Sequence, residues 1–205
     1  METRFLPVSS PTSLQVAVEL LKQKGLVAFP TDTVYGLGAL AFDFKSVAQL
    51  YEVKGRETSK AIAVLIGDLD ALHFVTGEMG ELARRLAGAF WPGPLTLVVS
   101  ASPNLPPNLS PLPTIGVRMP DHAAALELLR LAGPLAVTSA NRSGMPNTLT
   151  AQQVFDQLGG SIPLILDGGR TPGGKPSTVV DCTRGEPFIL RRGPISLHQL
   201  QSAVS

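Results

Sequence analysis

Residues 54–66, KGRETSKAIAVLI, place three cations, Lys54, Arg56 and Lys60, directly before an apolar run. The run AIAVLIG predicts a short buried strand. The preceding segment FKSVAQLYEV predicts a helix that Asp43 caps and that ends at the cations, where the helix dipole favours positive charge. A helix, a polar loop and a buried strand in succession are typical of a sheet covered by helices.

The same alternation continues along the chain, and strands crowd together towards its end. We expect further helices in GELARRLAGAF and after N-caps at Thr12 or Ser13, Asp121, Thr150 and Ser196. Strands are predicted in LVAF, LTLVVS, TIGVRM, LAVT, PLILD, STVVD and PFILR, and a surface loop in ASPNLPPNLSPLPT. The pattern indicates an α/β (α+β) protein of one domain, residues 1–205 with a core of about residues 10–196, built on a twisted mixed parallel/antiparallel sheet flanked by helices.

The composition excludes several classes of protein. Hydrophobic residues make up 44% of the 205 residues and charged residues 16%, which is enough apolar material for a core and too little charge for disorder. The net charge of +1 argues against a broad basic surface for nucleic acids. One cysteine excludes an intrachain disulfide, the three histidines lack zinc-site spacing, and no stretch is long and apolar enough to span a membrane. We therefore expect a cytoplasmic protein with no membrane contact and no metal site of its own.

Two glycine-rich segments resemble nucleotide-binding motifs but lack essential features. In GGRTPGGK, Pro176 stands where a phosphate-binding loop needs a hydroxyl, and a strand follows where a helix is required. We expect a glycine-rich loop over residues 168–176, and whether it closes over a ligand stays open. In GLGALA, residues 36–41, a tight turn with close backbone packing is the better interpretation. Cys182 is expected to be a buried hydrophobe.

Polar side chains stand at many of the predicted strand ends, which favours one concave site gathered from several loops. Taken alone, Lys54 and Arg56 could be cations at a helix C-terminus, and Ser139 and Asn141 in TSANRSG could form an ordinary polar turn. Taken together, the Lys-x-Arg and Ser-x-Asn elements are suited to hold a polyphosphate, because arginine offers a forked contact and lysine a point charge.

Seven motifs together resemble the YrdC-like family of threonylcarbamoyl-AMP synthases. In chain order they are FPTDTVYGLGALAFD, LYEVKGR, FWPGPLTLVV, IGVRMPDH, TSANRSG, STVVD and ILRRGPI. The resemblance runs from Leu26 to Ile195, and the chain is similar to the short, single-domain form of the family. Two segments depart from the family pattern, since Pro176 replaces a glutamate and ETSKA replaces a proline-containing segment.

The resemblance implies a nucleotidyltransferase with a concave, positively charged cavity. It would form threonylcarbamoyl-AMP and pyrophosphate from L-threonine, bicarbonate or CO2, and ATP, with Mg²⁺ accompanying the ATP. The product would serve threonylcarbamoyladenosine modification of tRNA next to the anticodon, with tRNA reached directly or through threonylcarbamoyl-transferase partner proteins. The implied catalytic residues are Lys54, Arg56, Ser139 and Asn141. Threonine would be bound by Thr33 and Arg118, and ATP by Arg56, Lys60, Thr114, Ser139, Asn141, Ser177 and Arg191.

Two other functions stay open at the level of the sequence. A carbamoyl-adenylate enzyme of hydrogenase maturation could share the YrdC-like core, but those chains are longer and carry zinc-binding cysteines. The other is a double-stranded RNA- or tRNA-binding module without catalysis, whose basic face would consist of Lys54, Arg56, Lys60, Arg118, Arg142 and Arg191.

Overall fold

The computed structural model describes residues 2–204, so Met1 and Ser205 of the predicted domain lie outside the described residues. Within this range one sheet contains the strands β1 (Arg4–Pro7), β2 (Val27–Phe29), β3 (Gly36–Leu40), β4 (Ala63–Leu65), β5 (Leu95–Ser100), β6 (Thr114–Arg118), β7 (Leu135–Ser139), β8 (Leu164–Asp167), β9 (Thr178–Asp181) and β10 (Phe188–Arg191). The helices are α1 (Pro11–Lys22), α2 (Phe44–Lys54), α3 (Leu72–Val75), α4 (Glu81–Phe90), α5 (Ala123–Ala132), α6 (Ala151–Leu158) and α7 (Leu197–Ser202), with a 3-10 turn at Leu69–Ala71.

The strands follow one another across the sheet in the order β1-β8-β2-β3-β7-β4-β6-β5-β9-β10. Parallel pairs are β1 with β8, β8 with β2, β4 with β6, and β5 with β9. The other neighbours run antiparallel. The predicted mixed sheet flanked by helices is confirmed. None of the helices in residues 2–204 has both the length and the hydropathy that crossing a membrane requires.

Side chains along the central strands alternate between two apolar cores, one on each face of the sheet. On β2, Val27 and Phe29 belong to one core and Ala28 to the other, and β7 and β8 alternate in the same way. Helices α1 and α5 pack on the first face, whereas α2, α4, α6 and α7 contribute to the second core. Both faces of the central strands are therefore covered.

Helices α1 and α5 cover only part of the first face. Their core takes side chains from β2, β4, β7 and β8 but from none of the described residues of β5, β6 or β9. On β5, Leu95, Leu97 and Val99 belong to the second core, so Thr96 and Val98 point to the first face. By the same alternation Gly116 on β6 also faces that side. The first face is thus uncovered over β6, β5 and β9 and over the start of β4 at Ala63.

The predicted N-caps at Asp43, Thr150 and Ser196 are confirmed, since each side chain accepts a hydrogen bond from a backbone N–H in the first helical turn. The prediction for α1 is wrong, because Ser10 is the N-cap and Pro11 begins the helix. The prediction of Asp121 for α5 is also wrong. His122 caps that helix, while the Asp121 N–H donates to the carboxylate of Asp32 instead.

The predicted tight turn over residues 36–41 is wrong, because this segment forms β3 in the middle of the sheet. Its glycines give room to neighbouring side chains. A Cβ on Gly36 would lie 2.8 Å from Val137 Cγ1, and a Cβ on Gly38 would lie 2.8 Å from Phe29 Cε1. The sequence also gave no prediction of β1 or α3.

Candidate functional site

A cavity of about 300 Å³ lies on the uncovered part of the first face. Small side chains of the sheet form its floor, among them Ala63, Thr96 and Gly116. A Cβ on Gly116 would lie 3.1 Å from Thr96 Cγ2, so a larger side chain there would crowd the floor. The walls come from the segments that follow β2 and α2, from the end of β7 and from the loop before β9, so residues from distant parts of the sequence meet here.

Three guanidinium groups line this cavity, those of Arg56, Arg118 and Arg191. Burial lowers the pKa of Arg191, and the positive charges of Arg118 and Arg56 lower it further. Of these three arginines, only Arg118 has a carboxylate of a described residue within ion-pair distance. The cavity therefore contains two guanidiniums without a carboxylate partner, an arrangement suited to anions.

Arg118 is held at three of its nitrogens. Nε donates to the carbonyl oxygen of Gly93 at 3.0 Å, Nη1 to Thr33 Oγ1 at 3.0 Å, and Nη2 to Asp32 Oδ1 at 2.5 Å. Burial lowers the pKa of Arg118, and the Asp32 carboxylate opposes this effect. Thr33 is fixed in turn by Thr31, whose hydroxyl lies 3.0 Å from that of Thr33. The guanidinium orientation is therefore set before any ligand arrives.

Arg191 is fixed against the start of β9. Its Nε and Nη2 donate to the carbonyl oxygen of Ser177 at 3.1 and 2.9 Å, and Nη2 also donates to Ser177 Oγ at 3.0 Å. The hydroxyls of Ser177 and Thr96 lie 2.8 Å apart. A chain of hydrogen bonds thus joins the third guanidinium to the floor of the cavity.

Arg56 follows α2, which ends at Gly55 in the left-handed conformation with φ of 59°. Such a φ favours glycine, and it turns the chain so that Arg56 reaches the cavity. Its Nε donates to the carbonyl oxygen of Lys60 at 3.2 Å and its Nη2 to that of Ala61 at 3.0 Å. The Arg56 side chain is therefore hydrogen-bonded to the segment that joins α2 to β4.

Lys54, the last residue of α2, lies behind the cavity wall and is 3% exposed. Its Nζ donates to the backbone carbonyls of Ser139 and Asn141, and its own carbonyl accepts from Ser143 N at 2.9 Å. Burial and then the charge of Arg56 lower the pKa of Lys54 from 10.5 to about 8. This lysine fixes the end of β7, at Ser139, and the turn that follows it.

The loop over residues 168–176 packs on the segment after β2. The Tyr35 hydroxyl donates to the carbonyl oxygen of Gly169 at 2.8 Å and accepts from Gly168 N at 3.1 Å. Gly174 N donates to the carbonyl oxygen of Thr33 at 3.0 Å. The loop is thus attached at both ends to the segment that orients Arg118, although its charged side chains, Arg170 and Lys175, are exposed.

The predicted site residues do not all occupy one place. Lys54 and Asn141 contact the turn behind the wall, and Asn141 Oδ1 is buried without a hydrogen-bond partner among residues 2–204. Lys60 is exposed and pairs with Glu57 at 3.1 Å. Thr114 lies at the opposite end of β6 from Arg118. Those that line the cavity are Thr33, Arg56, Arg118, Ser139, Ser177 and Arg191.

Three residues of the site carry no role in the sequence predictions. Asp32 and Tyr35 lie within the motif FPTDTVYGLGALAFD, but the sequence gives no sign that Asp32 meets Arg118 or that Tyr35 meets the 168–176 loop. Thr96 is the one polar side chain inside the apolar run LTLVV, and that interruption of the pattern was a usable signal. In residues 2–204 no group of three or more His, Cys, Asp or Glu side chains is arranged to hold a metal ion.

The comparisons with known proteins agree with one another. A family model for Sua5, YciO and YrdC, described as telomere recombination, matches residues 19–193. The threonylcarbamoyl-AMP synthase of Bacillus subtilis is 42% identical over 98% of this chain. A crystal structure of Pyrococcus abyssi Sua5 complexed with L-threonine superposes with a TM-score of 0.91 at 40% identity over 93% of the chain.

The comparisons also differ in how much of each relative they cover. The chain spans 59% of the Bacillus protein and 57% of the Pyrococcus chain. In contrast, the crystal structure of Escherichia coli YciO is matched over 99% of its length, with a TM-score of 0.86, 25% identity and 97% of this chain covered.

Proposed function

The chain belongs to the Sua5/YciO/YrdC family, and from this premise we propose that it is an L-threonylcarbamoyladenylate synthase. It would join L-threonine, bicarbonate or CO2, and ATP, and release pyrophosphate. The observation that carries the proposal is the set of three guanidiniums, Arg56, Arg118 and Arg191, that line one cavity. A reaction between an anionic carbamate and a polyphosphate needs fixed positive charge around the reacting atoms.

The reaction forms one C–N bond and exchanges one P–O bond for another. The threonine amine, once deprotonated, attacks CO2 and gives a carbamate, and a second amine proton is released to solvent. A carbamate oxygen then attacks the α-phosphorus of ATP. The bond from that phosphorus to the bridging oxygen breaks, and pyrophosphate leaves with the electron pair. Because the nucleophile is already anionic, the main tasks of the protein are positioning and charge neutralisation.

The cavity divides into two parts that suit the two substrates. Arg56 and Arg191 have no carboxylate partner among the described residues, so we assign them to the phosphates of ATP. Arg118 and Thr33 contact each other, and we assign them to the carboxylate and hydroxyl of L-threonine. The Pyrococcus structure with L-threonine, 40% identical in sequence, supports a threonine-binding role.

The remaining predicted residues would act at the boundary between the two parts. Ser139 lines the cavity. Lys54 donates to the backbone carbonyls of Ser139 and Asn141 from outside the cavity, and we assign all three residues to the catalytic centre. Ser177 would contact ATP together with Arg191. Lys60 and Thr114 stay sequence-based proposals for ATP contacts, because their side chains are not on the cavity wall. We expect Mg²⁺ to enter with ATP and to be held chiefly by its phosphates.

The adenylate would be passed on for threonylcarbamoyladenosine modification of tRNA, either directly or through threonylcarbamoyl-transferase partner proteins. We propose the cytoplasm as its compartment. The alternative of an RNA-binding module without catalysis is not favoured, since the curated relatives bear the name of an enzyme.

The test is pyrophosphate release with ATP and bicarbonate in the presence of L-threonine, L-serine, L-valine or no amino acid. L-Valine matches threonine in shape and lacks the hydroxyl, so it examines the role assigned to Thr33. We expect release with L-threonine that depends on bicarbonate, and a threonylcarbamoyl-AMP product of the corresponding mass. Release that is independent of the amino acid would contradict the proposal. Steeply salt-dependent RNA binding without any turnover would support the RNA-binding module instead.

A further inference from the structure

The carboxylate of Asp32 forms a mostly buried ion pair with one of the three cavity arginines. Asp32 Oδ1 lies 2.5 Å from Arg118 Nη2, and the two side chains are 12% and 7% exposed. The same oxygen accepts a hydrogen bond from Asp121 N at 3.2 Å. Asp32 Oδ2 is buried and has no partner in the part of the chain that the structure describes. A carboxylate in this position costs desolvation energy, so a contribution to stability does not by itself explain the ion pair.

The contacts of Arg118 leave part of its donor set free. A guanidinium has five N–H donors. Three of them are used by Gly93, Thr33 and Asp32. One N–H on Nη1 and one on Nη2 have no partner among residues 2–204 and are available to a carboxylate of a ligand. Asp32 therefore fixes the plane of the guanidinium and leaves donors for a ligand.

The charge of Asp32 distinguishes this part of the cavity from the rest. Arg56 and Arg191 have no carboxylate partner among the described residues, so their surroundings favour a phosphate. Arg118 and Asp32 together are close to neutral. A phosphate dianion beside this pair is repelled by Asp32, whereas the zwitterion of an amino acid has a net charge of zero and brings its own ammonium group.

We propose that Asp32 is a positioning and specificity residue, which orients Arg118 for the carboxylate of the amino acid and excludes phosphate groups from the threonine part of the cavity. This inference rests on the proposed function. The charge of Asp32 would distinguish two anionic groups, a carboxylate and a polyphosphate. Three similar arginines alone would bind both. The ion pair in effect divides one cavity into a zwitterion site and a polyphosphate site.

The first experiment uses the unmodified protein and inorganic phosphate as an inhibitor of pyrophosphate release. We expect phosphate to compete with ATP and not with L-threonine. Competition with L-threonine in the unmodified protein would overturn the inference. Absence of threonine-dependent release would overturn the proposed function and this inference together, so the two failures are distinguishable.

The second experiment uses Asp32→Asn, which keeps the size and the Oδ1 acceptor but removes the charge. We expect the KM for L-threonine to rise at least about tenfold, with kcat and the KM for ATP within about threefold. Phosphate should now compete with L-threonine, with an inhibition constant at least about tenfold lower, because an uncompensated guanidinium attracts it. Damage to the fold alone would not create a new phosphate site.

Two further variants serve as comparisons. Asp32→Glu keeps the charge and should restore the exclusion of phosphate, even where its longer side chain weakens threonine binding. Asp121→Asn changes an exposed neighbouring carboxylate whose backbone N–H, rather than its side chain, contacts Asp32, and it should behave like the unmodified protein. Equal kinetics for Asp32→Asn and Asp121→Asn, or an equal rise of both KM values in Asp32→Asn, would overturn the inference.

Discussion

Lys54 and Ser139 are joined by a hydrogen bond from the lysine Nζ to the backbone carbonyl oxygen, at 2.5 Å and across 85 positions of sequence. The same Nζ donates to the carbonyl of Asn141. The end of α2 and the turn after β7 are therefore one unit, with Arg56 on one side and Ser139 on the other. The Lys-x-Arg and Ser-x-Asn elements of the sequence are coupled through this lysine.

We predict that Lys54→Met lowers turnover at least about 10²-fold, comparable to the loss of one oxyanion donor. Methionine fills the space but gives no donor to the carbonyls of Ser139 and Asn141, so the end of β7 and the turn after it become less ordered. Hydrogen exchange should become faster for the amides of residues 139–145. Wild-type exchange in this turn, or full activity, would show that Lys54 does not hold it.

The depressed pKa of Lys54 predicts a dependence of stability on pH. The pKa is about 8 in the folded protein and 10.5 in the unfolded chain. Between these values the unfolded chain holds more protons, so a rise in pH favours the folded state. From pH 7 to pH 9.5 the free energy of urea unfolding of the wild type should increase relative to Lys54→Met, by on the order of 1–2 kcal/mol. A constant or shrinking difference would show that Lys54 keeps its ordinary pKa.

Arg56→Ala should also lower turnover at least about 10²-fold, but without loosening the turn after β7. Its hydrogen bonds go to the carbonyls of Lys60 and Ala61 in a partly exposed segment, so the cost to the fold is small. Steady-state kinetics and the same exchange measurement separate this variant from Lys54→Met. Lys22→Ala, which removes an exposed cation paired with Glu19, is the control and should leave turnover unchanged.

Much of the fold followed from local patterns, and the exceptions have specific causes. The alternation in LTLVVS and the caps at Asp43, Thr150 and Ser196 depend on neighbours in sequence, which is why they could be predicted. Strand β3 could not, since its glycines disfavour a strand locally and are accommodated by the Phe29 and Val137 side chains of neighbouring strands.

The candidate site likewise has features that could be predicted from the sequence and features that could not. Polar residues at strand ends indicated a common cavity, and six of the predicted residues line it. The pairing of Asp32 with Arg118 joins positions 86 apart, and the same Asp32 accepts from the N–H of Asp121, the residue before the α5 cap at His122. Such pairings depend on the sheet order, which a single sequence does not specify.

The contact between Arg118 and Thr33 predicts that substitution of either residue changes the KM for L-threonine. Arg118→Ala should raise the KM for L-threonine by about 10²-fold with a smaller effect on kcat, because it binds a group that does not react. Thr33→Val removes the oxygen that accepts from Arg118 Nη1 and should raise the same KM by about tenfold. Thr183→Val, in the exposed turn after β9, is the control. An effect confined to the KM for ATP would contradict both assignments.

Gly173→Ala tests whether the 168–176 loop has to stay packed on the segment that carries Asp32 and Thr33. A Cβ at position 173 would lie 2.5 Å from the Asp32 carbonyl oxygen and 2.9 Å from Thr33 Cα, and these backbone atoms cannot move independently. We expect faster trypsin cleavage after the exposed Arg170 and a higher KM for L-threonine. Gly88→Ala is the control, because its Cβ meets open space within α4 and should stabilise the helix by about 0.5–1 kcal/mol. Unchanged cleavage and threonine kinetics in Gly173→Ala would show that the loop is not coupled to Thr33, and that Arg118 is oriented without it.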